Sequence, residues 1–554
     1  MDARVTDGIA EVIAGSGLPV FGVPASETMG IVVAAAARGV PAYHARHEQA
    51  AVGMADGFGR FSGRPGVVVV GRGPGFTNGL NALVTAAKAA SPIVVVTGEL
   101  PSPYRGERAG THIFHSKNVD QAGIAELAGC AVVDLTDAAH ACPRMVGALE
   151  LAATGRPVVV LAPTDVLSAE LPAPAGRPRW PARPAPGDPD AASVDAVADL
   201  LRQEWACRRP LLLAGKGAIS PDAATAMSEL GERIGAVLVT TLCAKDLFAG
   251  EPADGGILGT LCTPATSELA LRSDLVLAFG ASLNPFTTYG GDLLGKARVV
   301  HVDADPRAFG RHVQPELAVR GDAATVARLL VDELRRSDHR AEGYRSPPVL
   351  AELAAARDAG DGRRDAGDGR GVLRALDALL PADRAVVVDA GAHMPYAATC
   401  LRVPGPGRFA TTAVDYTSVG SAFGIAAGAA IADPAVTTVL VIGDGGMAMA
   451  LPDLETLARY RLPVVVVVMN DAAFGQEVQL LQLAGLPDDI ARYPALDFAA
   501  IARSLGVEGR TVTPATDVGQ VASPEELRGP LVLDCKVATG SLREHSALVT
   551  RLGR

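Results

Sequence analysis

The chain has no excess of basic charge, no long apolar run and no paired-cysteine pattern. Fifty Lys and Arg stand against 61 Asp and Glu, a formal net charge of −11. No basic face is on offer to a phosphate backbone, which argues against a nucleic-acid partner. The apolar runs at 464–469 and 67–70 are strand-length. They fall far short of the roughly 20 residues that a membrane-spanning helix needs, so no membrane partner is expected. Seven cysteines (Cys130, Cys142, Cys207, Cys243, Cys262, Cys400 and Cys535) are scattered, odd in number and without a CxxC pair. They read as reduced thiols in a cytoplasmic setting rather than a disulfide framework or a zinc site. Residues 1–5 lack a basic start leading into an apolar core, so no signal peptide is expected.

What is present is length and rhythm. At 554 residues the chain is too long for one core, and three domains are expected. A proline-rich stretch at 171–190 and a duplicated Asp-Ala-Gly-Asp-Gly-Arg, at 358–363 and 365–370, read as linkers. They leave domains at 1–170, 191–337 and 372–540, with a tail at 541–554. Each domain alternates apolar strands with amphipathic helices. Examples of the strands are 66–71, 93–97, 157–162, 210–214, 237–241, 275–279, 299–302, 385–388 and 531–534. This implies α/β architecture, three consecutive doubly wound parallel sheets with helices on both faces.

The most informative stretch is in the third domain. A strand over 438–442 runs into a tight glycine turn, Gly443-Asp444-Gly445-Gly446. A helix over 447–461 follows, and a second apolar strand ends on Asn470-Asp471. Both polar clusters sit at the carboxyl ends of expected parallel neighbours, the edge where open α/β sheets take ligands. Asp444 and Asp471 converge there as oxygen donors for a hard cation such as Mg²⁺, which keeps open positions for phosphate oxygens. Main-chain N–H groups at the helix start suit those phosphates. A generic βαβ unit with a turn glycine and a capping Asp is the plainer reading, and it leaves the second acidic strand end unexplained.

In the first domain, Glu48 opens a helix of small apolar residues within His44–Arg60. A carboxylate placed where the surroundings are dry has a raised pKa and suits proton exchange near neutrality. Alternatively, Glu48 only favours the positive end of the helix dipole.

Glycine-Asp-glycine after an apolar strand, then a second strand ending in Asn-Asp, resembles the signature of thiamine diphosphate (ThDP) enzymes. The three-domain order resembles the same family: pyrimidine-binding, central Rossmann-like and diphosphate-binding. The resemblance implies that Glu48 hydrogen-bonds the cofactor's aminopyrimidine and promotes loss of the thiazolium carbon's proton, giving a nucleophile side chains do not supply. Pro24 would pack near the pyrimidine, and Gly73 and Asn78, of the loop Gly71-Arg72-Gly73-Pro74-Gly75-Phe76-Thr77-Asn78, would line the active-site mouth. Gly391, Ala392 and His393 would approach the diphosphate. Gly443, Asp444, Gly445, Gly446 and Met447, with Phe474 and Gly475, would complete that cradle. Val419 matches the apolar residue that wedges between the cofactor rings, a position usually held by larger Met, Leu or Ile. Mg²⁺ would take Asp444, Asp471 and the Ala473 carbonyl. His115 falls in a substrate-side loop, with His112 and Gln121 nearby, and suits proton relay. Family members build each site from two chains, so a homodimer or homotetramer is implied.

Departures from acetolactate synthases leave the substrate open. Phe114 is followed by His115-Ser116 where they carry Gln-Glu, and the region near Gly129-Cys130 lacks their Lys. Their substrate-selecting Trp is absent after Gln476-Glu477, since the two tryptophans are Trp180 and Trp205. In the middle domain Ser282 stands where flavin-binding members carry Arg, which argues against FAD; the domain holds FAD, ADP or nothing. The leading expectation is a ThDP- and Mg²⁺-dependent, acetolactate synthase-like enzyme acting on a 2-oxo acid or related carbonyl. Decarboxylation would occur with or without carboligation. The rivals are a 2-hydroxyacyl-CoA or oxalyl-CoA lyase using the segment 542–554 as a lid, a flavin-linked 2-oxo acid oxidase, and a non-catalytic regulatory paralogue.

Overall fold

A computed structural model describes residues 3–172, 188–203, 208–359, 367, 369–405, 407–513 and 518–539. Most of the proline-rich stretch, most of the duplicated segment, Trp180, Trp205, Cys207 and the tail 541–554 lie outside the described residues.

Valine-rich runs make three six-stranded sheets, every pairing parallel. The first holds β1 (Val20–Gly22), β2 (Ala42–His44), β3 (Gly66–Val70), β4 (Ile93–Glu99), β5 (Ala131–Asp134) and β6 (Val158–Pro163). Its order is β2-β1-β3-β4-β6-β5. The second holds β7 (Pro210–Ala214), β8 (Val237–Thr240), β9 (Asp254–Ile257), β10 (Leu275–Phe279), β11 (Arg298–Asp303) and β12 (Leu317–Arg320), ordered β12-β11-β10-β7-β8-β9. The third holds β13 (Arg384–Val388), β14 (Phe409–Thr411), β15 (Thr437–Gly443), β16 (Val464–Asn470), β17 (Glu508–Val512) and β18 (Leu531–Lys536). Its order, β14-β13-β15-β16-β18-β17, repeats the first sheet strand for strand. The second has the dinucleotide-fold order instead. Central strands are buried along their whole length, as at β3 and β16. Unbroken Val runs satisfy that two-sided burial.

One local expectation is corrected. No glycine turn separates β15 from its helix. The strand runs through Gly443, which caps the helix in extended conformation, and Asp444 is already helical. The expected single helix over 447–461 is also divided: Asp444–Ala450, a 3-10 turn at Leu451–Asp453, then Leu454–Tyr460. Pro452 explains the break, because it has no N–H to continue the ladder.

The first and third domains pack through the helices Glu48–Ser62 and Ala422–Ala432. A Cβ on Gly57 would lie 2.0 Å from the Ile425 carbonyl oxygen, and one on Gly428 2.0 Å from that of Met54. Small residues let the two backbones touch. Polar ties reinforce the contact. Arg60 pairs with Asp56 at 2.7 Å and Asp415 at 2.6 Å, and the His44 and Arg46 amides each donate at 2.8 Å, to the Tyr460 hydroxyl and Asp453 respectively.

Candidate active site

In the first and third sheets the direction of winding reverses beside β1/β3 and β13/β15, and loops at such a reversal open a crevice at the carboxyl edge. The predicted residues lie in loops at that edge, after β1 to β4 on the first sheet and after β13 to β16 on the third. On the third sheet, β15 delivers Asp444 and β16 delivers Asp471. Asp444 is 2 % exposed; its Oδ1 accepts the Gly445 amide at 2.9 Å, while Oδ2 is buried and, though the Tyr493 hydroxyl approaches the carboxylate, makes no hydrogen bond of ordinary geometry among the described residues. Burial, and next the charge of Asp471, push its carboxyl up to about 6. Burial also raises Asp471. The Ala473 amide works against both shifts. Two mutually repelling carboxylates, one with an orphaned oxygen, fit a divalent cation. Among the described residues no group of three His, Cys, Asp or Glu side chains gathers. The remaining positions then suit main-chain and phosphate oxygens, the habit of Mg²⁺.

Neighbouring loops close on this pair. A Cβ on Gly475 would lie 2.5 Å from Asp471 Oδ2 and 3.4 Å from Ala392 Cβ, so the carboxylate rests on the glycine backbone. His393 is 6 % exposed, and its ring packs against Gly391 and Gly443. Burial lowers it to about 4, so it is neutral at pH 7, with Nε2 buried and unpartnered. Phe474 is exposed and its ring meets Tyr493 edge-on at 5.5 Å. The Met447 side chain is wholly buried in the core, so only its main chain is available to a ligand.

Two residues escaped the sequence reading. Asp389, at the end of β13, is wholly buried. Its carboxylate accepts the Gly420 amide at 2.7 Å, the Thr412 hydroxyl at 3.2 Å and the Ala422 amide at 3.3 Å. It thereby holds the loop that presents half-buried Val419. Burial pushes Asp389 up to about 7 in spite of those donors. Tyr493 faces Asp444; burial and then that carboxylate raise its hydroxyl above the ordinary range. Asp389 stands two residues before Gly391, and its place at the end of a strand was the available signal. Tyr493 follows β16 by more than twenty residues and had none.

On the first sheet, Glu48 is the first residue of its helix and accepts a hydrogen bond from Asn78 at 3.0 Å. It is half-buried rather than dry, because no described residue covers that face fully. A Cβ on Gly75 would lie 3.4 Å from Glu48 Oε1, so the loop after β3 borders the carboxylate. Asn81 reaches both Gln49 at 3.4 Å and Ser421 at 3.3 Å, linking the Glu48 end to the Val419 loop. Among the described residues no hydrogen bond joins Glu48 to Asp444, Asp471 or His393. Pro24 is exposed, and Gly73 is buried at φ +63.

Gln121 has a structural place: 1 % exposed, it accepts the Gly73 amide and the Thr97 hydroxyl at 3.1 Å and donates to the Gly98 carbonyl at 2.9 Å. His115 lies exposed on a short 3-10 turn, with Nδ1 3.1 Å from the His112 carbonyl.

Family models match the chain in three blocks: the N-terminal TPP binding domain of thiamine pyrophosphate enzymes over residues 4–124, the central domain over 194–330 and the C-terminal TPP binding domain over 389–535. An acetolactate synthase large subunit from Parasynechococcus marenigrum is 32 % identical over 84 % of this chain and 76 % of its own length. The chain belongs to the thiamine pyrophosphate enzyme family. Thiamine pyrophosphate is ThDP, so the expected family and the three-sheet fold hold. A sulfoacetaldehyde acetyltransferase from Castellaniella defragrans is 29 % identical over 94 % of this chain and 88 % of its own. A probable 2-ketoarginine decarboxylase from Pseudomonas aeruginosa is also 29 % identical, over 88 % of this chain and 85 % of its own. No helix among the described residues is long and apolar enough to cross a membrane.

Proposed function

We propose that this thiamine pyrophosphate enzyme uses Mg²⁺-anchored ThDP to decarboxylate a 2-oxo acid, and passes the remaining acyl unit to a proton or to a second carbonyl. The observation that carries the reading is the Asp444–Asp471 pair, with its orphaned oxygen, at the carboxyl edge of the third sheet. Relatives named as a synthase, an acetyltransferase and a decarboxylase all support chemistry beside a carbonyl.

When bound, ThDP supplies a carbon nucleophile that side chains lack. This chain's residues bind, orient and move protons. Asp444, Asp471 and the main chain near Ala473 would hold the cation, and neutral His393 with the Gly391 and Gly443 backbones would border the diphosphate. Val419, on the loop held by Asp389, would be the apolar contact between the cofactor rings. Glu48, oriented by Asn78, would be the group that exchanges a proton at the pyrimidine end.

Half-buried Glu48, without a bond to the metal-side residues of its own chain, supports a site completed by a second copy in a homodimer. A flavin role is disfavoured by the middle sheet. At its winding reversal the Gly217 amide donates to the Gly280 carbonyl at 2.9 Å, and a Cβ on Gly215 would lie 2.2 Å from the same oxygen. Main-chain contact thus brings the two loops together at the place where this topology takes a dinucleotide.

Purified protein with ThDP and Mg²⁺ is to be assayed against a panel of 2-oxo acids, following CO₂ and acyloin products separately. CO₂ release dependent on both additions is expected. Its absence across the panel, with oxygen uptake or CoA-thioester cleavage instead, would overturn the reading.

A further inference from the structure

Arg72 lies in the loop after β3 and is 5 % exposed. Its Nε and Nη1 are buried without a hydrogen-bond partner, and Nη2 makes only a long 3.4 Å contact with the Phe114 carbonyl. It forms no ion pair among the described residues. The acids nearby in the fold are already engaged. Glu27 holds Lys117 at 3.0 Å. Glu99 takes the Leu100 amide at 2.7 Å and Gln121 at 3.2 Å. An unpaired buried guanidinium costs several kcal/mol, so folds retain one where a ligand completes it.

Its position says which ligand. Gly75, three residues along the same loop, borders Glu48. Among the described residues the Phe114 carbonyl is the one hydrogen-bond partner an arriving group must displace. A guanidinium fork matches the paired oxygens of a carboxylate or sulfonate. That anion is not the carboxylate lost as CO₂. Clamping a charge that disappears in the reaction stabilises the ground state over the transition state.

We infer that Arg72 recognises a distal acid group on the substrate, a carboxylate or sulfonate at the end away from the reacting carbonyl. The reaction named rests on the proposed ThDP chemistry; the anion subsite does not. For the holoenzyme, kcat/KM is measured with 2-oxoglutarate and 3-sulfopyruvate, and with neutral-tailed 2-oxopentanoate. Wild type should favour an acid-tailed substrate, and the better of the two identifies the acid. Arg72→Met should lose ~10–100-fold on it, mainly through KM, the scale of a charged hydrogen bond, while 2-oxopentanoate changes less than about twofold. Arg72→Gln serves if the Met variant misfolds, with melting curves as control. Calorimetry with glutarate and propane-1-sulfonate, which cannot react, reads the subsite alone. Anion binding lost in the variant without turnover of any 2-oxo acid would sink the reaction and keep the subsite. Turnover with no preference for acid tails, and an unchanged ratio in the variant, would overturn the inference and keep the reaction.

Discussion

Asp389 ties pH to the shape of the site. Its carboxyl is raised from 3.8 to about 7 by burial, so the folded state holds this proton more tightly than the unfolded chain. The resulting stability is fully present below pH 4 and lost as pH rises through 7, about 4 kcal/mol in all. The cofactor-free protein should therefore lose thermal midpoint between pH 4 and 7, and Asp389→Asn should flatten that part of the profile. An equal slope in the variant would mean other groups carry the dependence. This role was not legible beforehand, because the Gly420 and Ala422 amides that Asp389 accepts come from a loop 31 and 33 residues away in sequence. Asp444 and Asp471 were legible because each ends its own apolar strand and local spacing alone brings them together. Glu48 was legible as a helix start, while its half-buried state depends on surfaces that sequence does not display.

Strands were read from sequence more faithfully than helix ends. β7 and β10 match expectation residue for residue, since a Val- and Leu-rich run buried on both faces has no other stable use. The helix expected over 447–461 is divided because Pro452 interrupts its N–H ladder within a stretch that otherwise runs on as helix. Helix contacts allow a sharper test. Gly428→Ala places a methyl 2.0 Å from the Met54 carbonyl oxygen and should cost about 3 kcal/mol or more as the helices separate. Gly147, exposed within the helix Ala138–Ala153 with nothing within 4 Å of an added Cβ, is the control. Gly147→Ala should stabilise by about 0.5–1 kcal/mol, through helix propensity alone. Urea unfolding of both variants reads the pair, and similar midpoints would contradict the close-contact account.

At the scale of the molecule, the first and third sheets share one strand order and place their loops on equivalent reversals. One contributes Glu48 and the other the Asp444–Asp471 pair. The α/β rhythm announced three such domains but not the topology that two of them share. It became visible only in strand order. With Glu48 unbonded to the metal-side residues of its own chain, the central claim is that two copies share each site. The direct test co-expresses Glu48→Gln and Asp444→Ala chains, each inactive alone, and measures ThDP-dependent turnover of the purified mixture. A mixed dimer carries one intact site, so random pairing should restore about a quarter of wild-type activity. No activity above that of the separate variants would contradict a site built from Glu48 of one chain and Asp444 of the other.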